Sequence, residues 1–475
     1  MPCHTPIYTA LKKYMAENNL RLHMPGHGGE NGSVLPELEA VMRLDVTEVE
    51  GLDDLHLAQG VIKEAQQLLA RACGASESFL LLNGATSGIH ALFMSLGEGQ
   101  VMVPRNAHRS FYEGMVLSGA MPVYIPCELD PELGVALAVR ADKIEALLNL
   151  HKDMAGVFIT SPSYYGTCCD IAGISSVIRR AGKILLVDEA QGAHFPFHPL
   201  YPTPALKSGA DAVVNGLHKS WPVLTQGACM HLSGGFFLRD QLRAAYSLLT
   251  TSSPSYPLMA SIDGAREFME QQGKTYLEKA LGLSREYKTR LNQIPGLRCY
   301  EDELLDIPGV KAIDPLKVLI GVRELGLTGY QVSRILREEY RIQVEMQDHN
   351  LILAMFSLLH PRETWEKFYR ALQDLTDRYR AANSCPVATC IPPSPTVVLS
   401  PRKAFYSRSE KLKLTECRGR VCAELIAAYP PGIPCLVPGE LINDEIWDYL
   451  YYLRQTGACI QGPEDRDLEY IKVIE

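Results

Sequence analysis

The chain has 475 residues, 47% of them hydrophobic and 21% charged, with a net charge of −9 at pH 7. That length suits two or three folded domains, and the composition is that of a globular chain rather than a disordered or fibrous one. The acidic balance argues against binding to nucleic acid or to an anionic membrane surface, and no apolar run reaches the ~18 residues of a membrane-spanning helix.

The first residues, Met1-Pro2-Cys3-His4, lack the basic and apolar regions of a secretory signal. The 13 cysteines are odd in number, scattered and without a CxxC pair. Free thiols in a cytoplasmic protein fit this pattern better than a disulfide scaffold. His23 and His27 have metal-ligand spacing, but Pro25 and Gly26 between them speak against a helix, so no metal site is expected.

In chain order, Thr5 to Asn19 reads as a short amphipathic helix, and Leu22 to Gly29 as a glycine-rich loop. The acidic stretch Asp45 to Asp54 suits either a solvated face or a cationic substrate group, with Asp53 and Asp54 as the acids. A helix follows over Ile62 to Ala72. Strands are expected at Phe79–Leu82, Val101–Pro104, Met121–Ile125, Gly156–Thr160 and Lys183–Asp188, and near Gly227 to Leu232, with a helix from about Ile89. This alternation implies an α/β domain with a mainly parallel sheet, whose ligands bind beyond the carboxyl ends of the strands.

After Pro257 long charged helices begin, at Ala260–Gln271 and Tyr276–Leu291. The expected division is an N-terminal arm (1–35), a large domain (36–257), a smaller α+β domain (258–382), a Pro-rich linker (383–402) and a C-terminal α+β domain (403–475). The tail carries a helix after Arg402, a turn over Tyr429–Pro434 and a helix near Asp444 to Thr456.

The chemistry concentrates at strand ends. Lys183 to Ala190 reads as a buried strand that delivers Asp188 at its end, and Lys219 follows His218 just before another apolar strand. A pyridoxal phosphate (PLP) enzyme needs this pair: a lysine for the cofactor aldehyde and an acid that keeps the pyridine nitrogen protonated. Asn83-Gly84-Ala85-Thr86-Ser87-Gly88 joins a strand to a helix. It suits a phosphate on free N–H groups, or a plain capped turn. His108 is either a ring-stacking imidazole or a surface residue. His218 either handles a substrate proton or orients its loop. His194 and the Thr250–Ser255 turn, with Ser252, are open between cofactor contacts and ordinary loops.

Nine segments together resemble one family: LHMPGHGG (22–29), LDVTEVEGLDDLH (44–56), NGATSG (83–88), VPRNAHRS (103–110), TSPSYYG (160–166), VDEAQGAH (187–194), LHKSWPVLTQGA (217–228), TTSSPSYPLMASID (250–263) and AELIAAYPPGIPCLVPGE (423–440). In this order they resemble the bacterial Orn/Lys/Arg decarboxylases, PLP enzymes of fold type I, in their short branch without an N-terminal wing domain. The resemblance implies a PLP-dependent decarboxylase of a basic amino acid, preferably arginine, serving polyamine synthesis. It implies a homodimer with shared active sites, with higher assembly open. An aminotransferase, an aldolase or a weakly catalytic PLP-binding regulator are the alternatives.

Carried over by position, Lys219 matches the PLP lysine, Asp188 the pyridinium partner and His108 the stacking residue. Ala85, Thr86, Ser87 and His218 match cofactor and active-site positions; Thr160, Gln191, His194 and Ser252 are further expected cofactor contacts. Glu440 joins Asp53 and Asp54 as a possible acid for the distal cation. The chain departs from the family pattern at Gly28, Ala85, Arg109 and Gln191, and carries a bulky Trp221 after the lysine.

Overall fold

The computed structural model describes residues 4–29, 36–130, 132–379, 393, 395–428 and 433–475. The expected linker at 383–402 falls largely outside the described residues, as does the turn at 429–432. The strands used below are β1 (Glu77–Leu81), β2 (Gln100–Pro104), β3 (Met121–Ile125), β4 (Met154–Thr160), β5 (Leu185–Asp188), β6 (Ala212–Asn215) and β7 (Ala228–Leu232). The helices used below are α1 (Pro6–Glu17), α2 (Val61–Cys73), α3 (Gly84–Leu96), α4 (Arg109–Ser118), α5 (Tyr256–Phe268), α6 (Lys274–Leu291), α7 (Gly329–Tyr340), α8 (Arg362–Tyr379), α9 (Pro401–Tyr406) and α10 (Asp444–Thr456).

The chain folds as two compact units, 1–95 with 186–278 and 96–185 with 279–475. In the first, β5 and β6 run parallel, with Asp188 opposite Val214. β7 runs antiparallel to β6 and to β1, with Cys229 opposite Asn215 and Leu81 opposite Ala228. Two reversals leave β1 pointing the same way as β5 and β6, so their three carboxyl ends share one edge. All four residues of β5 and of β6 are buried, which is why both read as continuous apolar runs rather than alternating ones. α1 packs on α2 and α5. Its start is fixed by the Asp263 carboxylate, which accepts from Ile7 N at 2.9 Å and is itself paired with buried Arg266 at 3.1 Å.

α3 begins at Gly84, earlier than the expected start near Ile89. Most of the glycine- and hydroxyl-rich segment is therefore its first turn. Gly88 explains the tolerance of so poor a helix sequence: a Cβ there would lie 2.6 Å from Leu81 Cδ1 and 3.1 Å from Val214 Cγ1. The helix gains close contact with the sheet, which outweighs roughly 1 kcal/mol of lost propensity.

In the second unit, β2 pairs in parallel with both β3 and β4. A separate core lies under α6, α7 and α8, around Tyr287, Val332 and Trp365. Another gathers Cys417, Cys422, Leu436, Ile446 and Val473 around α10.

Candidate active site

Asp188 ends β5 and is 7% exposed. Its Oδ1 accepts from Ala190 N at 3.0 Å, which bends the chain sharply out of the strand. The Ala190 carbonyl then accepts from Gly216 N at 3.2 Å. Gly216 opens the loop that carries Lys219. A Cβ on Gly216 would lie 2.9 Å from Ala190 O, 3.2 Å from Lys219 Cδ and 3.4 Å from its Cε. The half-buried lysine stem therefore crosses the bare face of this glycine. Asp188 and Lys219 are thus set by one short backbone relay, Asp188–Ala190–Gly216–Lys219.

Trp221 belongs to the same frame. Its indole N–H donates to Ala193 O at 2.9 Å, and its ring meets Phe197 edge-on, with centroids 5.3 Å apart. This departure from the family pattern staples the turn after Asp188 to the lysine loop. His218 accompanies it: its Nδ1 lies 3.0 Å from Gly227 O. A nitrogen facing a carbonyl must carry the proton, so the neutral ring presents Nε2 as its base.

The start of α3 lies at the same sheet edge. Gly84 N donates to Gln226 O at 3.1 Å, in the loop between Lys219 and β7. Ser87 Oγ donates back to Gly84 O at 2.9 Å, while Ala85 and Thr86 are half-buried in the first turn. Buried Gln191 and His194 lie in the turn after Asp188, and His194 packs edge-on against Phe195 and Tyr201. Ser252 is exposed in its turn.

In the second unit, His108 is exposed and N-caps α4, with Nδ1 3.0 Å from Ser110 Oγ and accepting from Ser110 N at 3.3 Å. Thr160 closes β4, and its Oγ1 is buried without a hydrogen-bond partner among the described residues.

The acids expected near a distal substrate cation have other occupations. Asp53 accepts from the backbone N–H of Gln59, Gly60 and Ile62 at 3.0, 2.8 and 3.0 Å, at the start of α2. Burial works against its charge, but these donors win and hold its carboxyl below the usual range. Asp54 accepts from His56 N at 2.8 Å. Glu440 is 1% exposed and receives both nitrogens of Arg105, at 2.5 and 3.0 Å. Gly28, another departure, has φ +60°, where a lysine would be strained. Arg109 is exposed and faces Glu113 at 3.5 Å.

Glu189 escaped the sequence reading. It is 4% exposed, accepts from Ala205 N at 2.8 Å and from Asn215 Nδ2 at 3.2 Å, and burial pushes its carboxyl up to about 8. Its neighbour Asp188 drew attention as the strand-end acid, and nothing local distinguishes the two.

The residues fit PLP. A buried carboxylate asks for a cationic partner, which a protonated pyridine supplies. Ser220 Oγ, next to Lys219, is buried with no hydrogen-bond partner among the described residues, as a cradle awaiting a polar ligand would be. The N–H groups of a helix start suit a phosphate.

A lysine and a strand-end acid at the carboxyl edge of a mainly parallel sheet suit a PLP-dependent enzyme of fold type I. The chain belongs to the Orn/Lys/Arg decarboxylase family, whose major domain matches residues 5–364 and whose C-terminal domain matches residues 387–464. An arginine decarboxylase of Bacillus subtilis (strain 168) is 35% identical over 99% of this chain and 98% of its own. The lysine decarboxylase LdcA of Pseudomonas aeruginosa is 23% identical over 96% of this chain and 77% of its own. The constitutive lysine decarboxylase of E. coli superposes with a TM-score of 0.84 at 20% identity, covering 100% of this chain and 82% of that one. The protein is thus a PLP-dependent amino-acid decarboxylase. No helix among the described residues is long and apolar enough to cross a membrane.

Proposed function

We propose that this decarboxylase acts on L-arginine, yielding agmatine for polyamine synthesis in the cytoplasm, and that it works as a homodimer with shared active sites. The observation that carries the substrate choice is the 35% identity to a Bacillus arginine decarboxylase across nearly both whole chains, against 23% to a lysine decarboxylase. Lysine and ornithine are the competing substrates.

In this reading Lys219 holds PLP through its amine, and Asp188 keeps the proton on the pyridine nitrogen. Ala85, Thr86 and Ser87 would receive the phosphate, with Ser252 as a further contact. The family resemblance gives His108 the ring face and makes Thr160, Gln191 and His194 further contacts. When bound, PLP supplies an electron sink for the pair left by the departing carboxylate. The α-carbon loses CO₂ and gains one proton. His218, through Nε2, and Lys219, through Nζ, are the two groups of the lysine loop able to deliver that proton. The relay from Asp188 to Lys219 fixes both at the sheet edge, so the chain contributes orientation rather than bond chemistry.

The test incubates PLP-loaded protein with arginine, lysine and ornithine together and identifies the amines by mass spectrometry. Agmatine as the main product, absent with Lys219→Ala, is the expected result. Cadaverine or putrescine in its place would overturn the substrate choice. A keto acid without CO₂ release would overturn the reaction.

A further inference from the structure

Arg105 leaves β2 and enters the short loop that ends at His108. Three ties hold this loop. Ala107 N donates to Pro104 O at 3.2 Å. Cys127 Sγ donates to Asn106 Oδ1 at 3.2 Å. The third and strongest is the fork of Arg105 on Glu440, with Nη1 to Oε1 at 2.5 Å and Nη2 to Oε2 at 3.0 Å. Arg105 Nη2 also donates to Cys435 O at 2.8 Å, and the guanidinium stacks 4.7 Å from the Tyr124 ring centroid. The Arg105 and Glu440 side chains are only 15% and 1% exposed.

Glu440 rides on rigid backbone. Its oxygen accepts from Cys422 N at 2.8 Å, and its carboxylate from Val437 N at 2.9 Å. The preceding Gly439 has φ +94°, and a Cβ there would lie 2.5 Å from Leu399 O. The C-terminal region grips the other end of α4 as well. Arg402, on α9, donates through Nε to Val116 O at 2.9 Å and through Nη2 to Leu117 O. The helix that His108 caps is held at both ends by residues more than 280 positions later in the chain.

We infer that Arg105 and Glu440 are a positioning pair, through which the C-terminal domain sets the loop that carries His108. The inference rests on the reading of His108 as the residue on the cofactor ring. A buried ion pair contributes little net stability compared with an apolar pair of similar size, but it fixes one geometry. The pair fixes the loop by two parallel hydrogen bonds, which an apolar contact does not reproduce.

The test uses the full-length protein and four forms: wild type, Glu440→Gln, the double variant Arg105→Met/Glu440→Leu, and Glu366→Gln as a control. Glu366 pairs with Arg290 at 2.7 Å, outside the cofactor residues, and controls for general destabilisation. Three quantities are read: thermal midpoint, affinity for PLP with its visible absorption band, and amide hydrogen exchange over residues 105–118. Glu440→Gln should weaken PLP retention roughly tenfold, shift the band and speed exchange over 105–110. The double variant should recover the thermal midpoint without recovering affinity or band. Glu366→Gln should lower the midpoint alone. Wild-type affinity and band in both Glu440 variants, with only the midpoint lowered, would overturn the inference. The wild type separates the two readings: if it shows no lysine-linked band, the cofactor reading falls. Exchange over 105–110 then decides the clamp, faster exchange in Glu440→Gln supporting it and unchanged exchange overturning it.

Discussion

Gly216 acts through the side chain it lacks. The space its Cβ would fill holds the Lys219 stem on one side and Ala190 O on the other, at 3.2 and 2.9 Å. The carbonyl cannot retreat without loosening its bond to Gly216 N, so the lysine must give way. Gly216→Ala should cost about 1–3 kcal/mol by overpacking and weaken PLP retention by roughly tenfold. Urea unfolding and a PLP absorbance titration check both. Gly234→Ala, where no described residue lies within 4 Å of the added Cβ, is the matched control. Lys219 and Asp188 were legible in the sequence because apolar strands point to them from both sides. The relay between them was not, since it runs through the backbone of Ala190 and Gly216. Ser220 was equally silent: a buried hydroxyl without a hydrogen-bond partner among the described residues leaves no pattern in the chain.

Elements show the same division at longer range. Strands of buried apolar residues were legible almost to the residue, as with Val101–Pro104, the buried part of β2. The start of α3 was not, because glycine and hydroxyl residues have loop propensities and only packing on Leu81 and Val214 overrides them. The acidic run before α2 was silent in another way. Charge density left a solvated face and a substrate cation both open, and neither anticipates that Asp53 gathers the N–H groups at a helix start. Its backbone is left-handed, with φ +69°, which asparagine tolerates and alanine resists. Asp53→Asn should therefore cost about 1 kcal/mol, and Asp53→Ala about 2–3 kcal/mol, through the lost cap and added strain. Thermal melts measure this difference, and the KM for arginine should stay unchanged in Asp53→Asn. A raised KM with an unaltered midpoint would return Asp53 to the substrate. Because its folded carboxyl titrates below the usual range, its contribution is complete above that range and is lost as pH falls below it, through the lowered folded value.

At the scale of the whole molecule, two buried groups act on stability against pH with opposite preferences. His231, on β7, is 1% exposed between Ser78 Oγ at 2.6 Å and Cys229 Sγ at 3.1 Å, and burial lowers its titration to about 4. Unfolded, a histidine titrates near 6.5. Its neutral form is thus favoured by folding, and its stability, present above about 6.5, is lost as pH falls through about 4. The full loss is about 3 kcal/mol. Glu189 works in the other direction. Burial first, and then the charge of Asp188, raise it to about 8. Its stability is complete below the ordinary carboxyl range near 4.3 and is lost as pH rises through about 8. Between about 4.3 and 6.5 the two slopes are equal and opposite. Their joint contribution is flat there, and it falls at lower pH through His231 and at higher pH through Glu189. Glu189→Gln keeps the acceptor for Ala205 N and exchanges only the weaker 3.2 Å contact with Asn215. Relative to wild type it should gain stability steadily up to pH about 8. His231→Gln should instead gain only below about 6.5. Guanidinium midpoints of the cofactor-free protein from pH 4 to 9 read these differences directly. A Glu189→Gln difference that stays constant from pH 5 to 8 would mean that the carboxyl is already ionised in the fold, held by Ala205 and Asn215 rather than by its proton.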